Sequence, residues 1–204
     1  MMILSKLKNK ILGIPNGISI FHTNIKHIKK DKIFNASLDS TLLNVKERNK
    51  SVREQVGEAI TTSIDPRIIY EIQNIHLISE WLGVVIEKYI SYNGIKNVKT
   101  ADVVRGWCNR IFENCEGKPH RHDDYGTTFV VALYYDVPKN SSDLVVIDDE
   151  DVLTSYRDYE KRKIKRIKVK EGMAICMNPE IVHAVSEHKS KLPRTCFIFN
   201  VSLK

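Results

Sequence analysis

The sequence is poor in the signals that mark zinc-binding, secreted or membrane proteins. Its four cysteines, Cys108, Cys115, Cys176 and Cys196, show no zinc-type pairing, and we expect them to be reduced thiols. No apolar run is long enough to span a bilayer, and lysines interrupt the N-terminal residues too often for a signal-peptide core. We therefore expect a cytoplasmic protein. Without an internal repeat or low-complexity linker, residues 1–204 are predicted to form one domain.

The net charge of +7 raises the question of an anionic partner. Residues 161–170 concentrate much of the basic charge, but apolar residues are interspersed among the lysines and an acidic run lies upstream at 148–151. One interpretation is an edge strand whose lysines prevent pairing between sheet edges. The other is a docking surface for an anionic molecule. Because no nucleic-acid-binding motif accompanies the run, a nucleic-acid partner is not favoured.

Hydrophobic periodicity predicts an α+β protein that is mainly β. We expect a first strand at 18–23, and a loop or short helix at 51–64. Asp65 and Pro66 open a helix whose apolar residues recur at helical spacing until Asn93 and Gly94 end it. Further strands are predicted from residue 103, and at 127–137, 144–147, 164–169, 173–177 and 195–201. Residues 1–100 would thus form a helical support for a β barrel built from residues 101–204.

The segment around residue 120 carries a potential metal site. Residues two apart on an extended segment project to the same side, so His122 and Asp124 can bind one ion while His183 arrives from another strand. Two His and one carboxylate are the ligand set of non-haem Fe(II) oxygenases. His120 falls on the same side, and it replaces Asp124 in the alternative set. A carboxylate supplies a hard anionic oxygen, which favours Asp124, and the unused residue would orient a ligand.

Roughly the second half of the chain, residues 107–202, resembles the Fe(II)- and 2-oxoglutarate-dependent dioxygenases. The segments that carry the resemblance are, in order, Trp107-Cys-Asn109, Pro119-His120-Arg-His122-Asp-Asp124, Leu133-Tyr-Tyr-Asp-Val-Pro138, Ser142-Asp-Leu144, Gly172-Met-Ala-Ile-Cys-Met-Asn-Pro179, His183-Ala-Val185 and Arg194-Thr-Cys-Phe-Ile-Phe-Asn200. The resemblance implies a double-stranded β-helix, a jelly-roll and cupin-like core, with N-terminal helices packed on the sheet. Pro119 before a His120-x-His122 pair is similar to phage-type relatives of prolyl hydroxylases.

The same resemblance implies how a cofactor would bind. Arg194 follows His183 at about the spacing at which family members bind the far carboxylate of 2-oxoglutarate. Tyr135 is assigned to the cofactor by similarity to the double-Tyr strand of prolyl hydroxylases, and Asn109 would hydrogen-bond it from inside the barrel. The cofactors implied are Fe(II), 2-oxoglutarate and O2, with ascorbate as reductant. The reaction implied is hydroxylation of an unidentified protein side chain or small molecule.

Two other interpretations remain open at this point. The chain would be a cupin-like metal-binding protein, or a structural or interaction protein, without oxygenase activity. Arg194 would then be a surface cation at the start of a strand, and Asn109 would satisfy a backbone group. Tyr134 and Tyr135 would pack in the barrel, and because adjacent strand residues face opposite ways, at most one reaches a cofactor. Arg194 distinguishes the oxygenase from these two alternatives, because a protein that binds no keto acid has no need of a cation at this position.

Overall fold

Two antiparallel sheets form the centre of the protein. The computed structural model describes residues 16–48, 59–63, 65–122, 126–147 and 164–204. Ten strands lie in these ranges: β1 (Ile18–His22), β2 (Ile60–Thr61), β3 (Ala101–Ile111), β4 (Gly117–His120), β5 (Phe129–Asp136), β6 (Leu144–Ile147), β7 (Ile164–Ile167), β8 (Met173–Met177), β9 (His183–Val185) and β10 (Arg194–Leu203). The larger sheet has the order β1-β8-β5-β10-β3-β2 and the smaller one β4-β9-β6-β7. Within the described ranges the strands form two separate sheets, which corrects the expectation of a closed barrel.

In the same described ranges, three α-helices pack on one face of the six-stranded sheet: α1 (Lys26–Lys30), α2 (Lys32–Arg48) and α3 (His76–Asn93). The helices form because apolar residues recur on one side. In α3 the buried residues are Ile78, Trp81, Leu82, Val85 and Ile86, which make the stripe that a helix needs against a sheet. Phe34 and Leu38 of α2 join the same core, which includes Leu133 and Phe197 from the sheet. The prediction that N-terminal helices pack on the sheet is confirmed.

The long helix predicted from Asp65 is interrupted. Residues Pro66–Glu71 form a 3-10 helix, which the Asp65 carboxylate caps by accepting a hydrogen bond from the Arg67 amide. α3 begins only at His76, because Asn74 adopts a left-handed φ of 57° and its amide bonds the Asp31 carboxylate at 3.2 Å. Gly94, with a φ of 64°, ends α3 as predicted.

The opposite face of the six-stranded sheet packs against the smaller sheet. This inner face supplies Val130, Ala132, Tyr134, Ile175 and Cys196 to a core that Leu144, Val146 and Ile167 complete from the other side. β10 alternates between the two cores: Phe197, Phe199 and Val201 belong to the core under the helices, and Cys196 and Ile198 face inward. By the same alternation, residues 194 and 200 at either end of this row also face the space between the sheets.

The structure also bears on the basic run at 161–170 and on the question of membrane spans. Strand β7, which lies in the basic run, is the last strand of the smaller sheet, and Lys165 and Arg166 in it are exposed. Among the described strands β7 thus lies at an edge of the sheet, as the first interpretation predicts, while residues 161–163 and the acidic residues 148–151 lie outside the described ranges. Among the helices that the structure describes, none is both long and apolar enough to cross a membrane.

Candidate functional site

Three histidines meet between the two sheets. His120 ends β4 and lies opposite His183, which begins the neighbouring strand β9, and His122 follows two residues later. One ring nitrogen from each lies within 4.8 Å of the other two, and Nε2 of His122 is 3.3 Å from Nε2 of His183. The structure thus brings together both histidines common to the two predicted ligand sets, and the alternative residue His120. Asp124 lies outside the described residues.

The hydrogen bonds of the three rings determine which nitrogens point at the centre. Nδ1 of His120 faces the Lys118 carbonyl at 2.8 Å, and Nδ1 of His183 faces the Ile181 carbonyl at 3.0 Å. Nδ1 of His122 faces the Asn200 side-chain oxygen at 3.1 Å. Carbonyl oxygens can only accept, so each Nδ1 carries the proton and each neutral ring has its lone pair on Nε2.

The close approach of two such nitrogens calls for a cation. Two Nε2 lone pairs that face each other at 3.3 Å repel unless a positive charge lies between or beside them. Burial lowers the pKa of His183 well below its ordinary value, and the neighbouring His120 and His122 lower it further. The pKa of His120 is lowered too, because its ring is largely desolvated even though the residue as a whole is the most exposed of the three. This ring lies 4.4 Å from that of His183. Neutral imidazoles are the form that binds a metal ion.

Aromatic stacking restrains the ring of His122. Trp107 of β3 stacks on it with ring centroids 5.5 Å apart and an angle of 18°, and His122 in turn stacks on His183 at 5.1 Å and 3°. The Arg105 guanidinium also contacts the Trp107 ring, with its central carbon 5.6 Å from the ring centroid. From the sequence, Trp107 is predicted only to be part of a motif, and no role is predicted for Asn200. The available signal was parity, since Asn200 is a polar residue in an apolar strand and shares the face of Arg194.

Arg194 is a buried cation rather than the surface residue of the alternative interpretation. Only 3% of it is exposed, and its Nη1 donates to the Ser142 carbonyl at 3.2 Å. Its guanidinium carbon lies 5.5 Å from the Tyr134 ring, and its buried Nε has no hydrogen-bond partner. In the described part of the chain no carboxylate lies within ion-pair distance of it. A buried charge of this kind requires an anion.

The two tyrosines face opposite sides of the six-stranded sheet. Tyr135 faces the helices, where its hydroxyl donates to Asn35 Oδ1 at 2.7 Å and its ring contacts Phe34. Tyr134 is the residue that faces Arg194, because β5 turns alternate residues to opposite sides of the sheet.

Asn109 lies on the neighbouring strand β3, directly opposite Cys196 of β10. It shares the face of Trp107, two residues before it, and its Oδ1 is buried without a hydrogen-bond partner. Among the described residues, the inner face therefore includes the Arg194 Nε and the Asn109 amide oxygen as groups with unused hydrogen-bonding capacity. Buried polar groups normally have partners, so both are candidates for binding a polar ligand.

Similar solved structures are known, although no family model and no curated protein sequence matches the chain. An oxidoreductase of the 2OG-Fe(II) oxygenase family from Burkholderia pseudomallei has a TM-score of 0.59 and 12% identity, over 99% of this chain and 90% of that one. A Pseudomonas putida prolyl-4-hydroxylase has a TM-score of 0.55 and 11% identity, over 98% and 99%. A Trichoplax adhaerens prolyl hydroxylase, solved with a hypoxia inducible factor peptide fragment, has a TM-score of 0.53 and 13% identity, over 99% and 89%. The resemblance found in the sequence is thus confirmed at the level of the fold.

Proposed function

We propose that this protein is an Fe(II)- and 2-oxoglutarate-dependent dioxygenase that hydroxylates a protein side chain or a small molecule. The observation that carries the proposal is that two features face the space between the sheets: converging Nε2 lone pairs, and a buried Arg194 for which the described residues supply no counter-ion. The first needs a cation and the second an anion, and a keto acid chelated to iron supplies both. We further propose that the two sheets correspond to the double-stranded β-helix of the oxygenases with which they share a fold.

His122 and His183 are proposed as iron ligands, since they belong to both candidate sets. His120 is the third ligand that the described geometry supports, and Asp124 remains the predicted anionic alternative. Asn200 and the Ile181 carbonyl would keep the two shared rings in the tautomer that binds a metal. Trp107 would cover one side of His122 and keep water from it.

Arg194 is proposed to bind the far carboxylate of 2-oxoglutarate through its free Nε and its Nη atoms. Tyr134 would flank the same carboxylate in place of Tyr135, and the Asn109 amide would use its unsatisfied hydrogen-bonding capacity on the keto acid. When bound, Fe(II), 2-oxoglutarate and O2 supply the oxidising chemistry, with release of succinate and carbon dioxide. The protein's own residues orient these groups and hold the charges that balance them.

The substrate class follows from the proposed chemistry only in outline. The fold is shared with prolyl hydroxylases, one of which is solved with a peptide, and this favours testing proline-containing peptides before small molecules. A nucleic-acid substrate is not favoured, and ascorbate is the expected reductant.

One observation favours a second candidate, a metal-binding protein without oxygenase activity. The described cluster contains three neutral histidines and no carboxylate, and three histidines are also a ligand set for Zn²⁺. The two candidates differ at Arg194, because only the dioxygenase needs a keto acid bound there.

The test is consumption of 2-oxoglutarate by the purified protein with Fe(II) and ascorbate, with and without candidate peptides. We expect slow turnover in the parent, a loss of it in His183→Ala and Arg194→Ala, and no change in His22→Ala, a matched control at an exposed histidine of β1. Retention of metal by a parent protein that neither binds nor consumes 2-oxoglutarate would favour the second candidate.

A further inference from the structure

His188 is a buried histidine outside the metal cluster, and both of its ring nitrogens are used. It lies in the segment between β9 and β10 and is 0% exposed. Its Nδ1 accepts a hydrogen bond from the Ser142 amide at 3.2 Å, and its Nε2 donates to the Leu192 carbonyl at 2.9 Å. A neutral imidazole with its proton on Nε2 does both at once. The backbone of His188 is also held, since its amide donates to the Cys115 carbonyl at 2.8 Å and its carbonyl accepts from the Asn114 amide at 2.7 Å.

The two residues that bond the His188 ring, Ser142 and Leu192, are both connected to Arg194. Ser142 donates its amide N–H to His188, and its carbonyl accepts a hydrogen bond from the Arg194 guanidinium, so one residue links the two side chains. Leu192 lies two residues before Arg194 in the chain, where β10 begins. The imidazole therefore ties the start of the strand that carries Arg194 to the segment that carries the acceptor of its side chain.

We propose that His188 is a positioning residue for Arg194, which sets where the guanidinium stands in the space between the sheets. An arginine side chain has many rotamers, and the only hydrogen bond that restrains the guanidinium in the described structure is the one to Ser142. If the Ser142 peptide turns away, that bond is lost and the guanidinium no longer presents its free Nε to a ligand. The inference rests on the proposed function for the identity of the ligand, 2-oxoglutarate, but not for the contacts themselves.

Two conservative variants separate the two ring contacts. The amide oxygen of Asn can stand near the place of Nδ1, so His188→Asn keeps an acceptor for Ser142. The amide nitrogen of Gln can stand near the place of Nε2, so His188→Gln keeps the donor to Leu192 and loses the Ser142 contact. We expect His188→Gln and His188→Ala to weaken anaerobic binding of 2-oxoglutarate to the iron-loaded protein about tenfold, the equivalent of one hydrogen bond. His188→Asn should bind within about threefold of the parent, and iron affinity should be unchanged in all three.

A control separates positioning from general destabilisation. Val85→Ala removes a fully buried side chain from the helix-side core, so it should lower thermal stability without changing affinity for 2-oxoglutarate. The inference is overturned if the affinities of the four variants follow their melting temperatures, or if His188→Gln binds like the parent. It is supported if only the variants that lose the Ser142 contact bind weakly.

A second measurement does not depend on the ligand. In the parent, the Arg194 side-chain N–H signals, identified by their absence in Arg194→Lys, should show slow solvent exchange and hindered rotation in 15N spectra. Both should be faster in His188→Gln and retained in His188→Asn. A parent protein that fails to bind 2-oxoglutarate would contradict the proposed function, and the spectra would then decide the positioning role alone. Identical Arg194 signals in the parent and His188→Gln would overturn it.

Discussion

Arg194→Met should make the ligand-free protein more stable while abolishing its response to 2-oxoglutarate. Arg194 is 3% exposed and has no carboxylate partner among the described residues, and an unpaired ion in such a place costs several kcal/mol. Its hydrogen bond to Ser142 returns about 1.5 to 3 kcal/mol. Met is apolar and of similar length, so we expect a net gain of about 1 kcal/mol, or a rise of roughly 2 to 4 °C in melting temperature.

Addition of 2-oxoglutarate should make the parent more stable than Arg194→Met. At a concentration 100 times its Kd, a ligand that binds only the folded state stabilises it by about 2.7 kcal/mol. The iron-loaded parent should gain this amount under anaerobic conditions, whereas Arg194→Met should gain almost none, because loss of one side of a buried charge pair costs about 2 to 5 kcal/mol of binding.

The assay is urea denaturation of both proteins with and without 2-oxoglutarate. Arg67→Met is the matched control, since Arg67 is exposed and pairs with Asp65 at the surface. Its replacement should change neither the stability of the ligand-free protein nor the stabilisation by 2-oxoglutarate. The reasoning is refuted if Arg194→Met is less stable than the parent in the absence of ligand, because the guanidinium would then be compensated.

Three further outcomes are expected. His120→Ala should retain iron less well than Asp124→Ala if the three histidines are the ligands, and the opposite ranking in an iron-binding titration would establish the carboxylate. Iron should quench the fluorescence of Trp107, which stacks on a proposed ligand, so Trp107→Phe should lose the signal that Trp81→Phe retains. The metal-free protein should lose stability as the pH falls below about 6.5, because burial lowers the pKa of His183 and the unfolded chain takes up the proton first; a melting temperature that stays constant from pH 7 to 5 would contradict this.

Much of the fold was predictable because its signals are local. The apolar stripe of α3 and the strands at 144–147 and 173–177 depend on periodicity within a few residues, and the structure has them where the sequence predicts them. The break before α3 was not predictable, because it depends on a hydrogen bond between Asn74 and Asp31, which lie far apart in the chain. No local pattern reports such a contact.

Which side of the sheet Tyr134 and Tyr135 each face was not predictable, for a related reason. β5 is buried on both faces, so its sequence shows no alternation from which the inner side could be inferred. Only the pairing of Tyr134 with Cys196 on β10 identifies the side that faces Arg194. The histidines were easier, because their types and their spacing already predicted a common centre.

The residues of strand β10 contribute alternately to two different parts of the protein. Cys196 and Ile198 face the space between the sheets, as Arg194 and Asn200 do by alternation, whereas Phe197, Phe199 and Val201 pack under the helices. A deletion or insertion of a single residue inside this strand would exchange the two sets, burying Arg194 among apolar side chains and turning phenylalanines toward the histidines. We therefore expect insertions and deletions to be tolerated only in the segments before and after the strand. Substitutions at the inward positions, in contrast, can alter what the site binds while the helix-side core stays as it is.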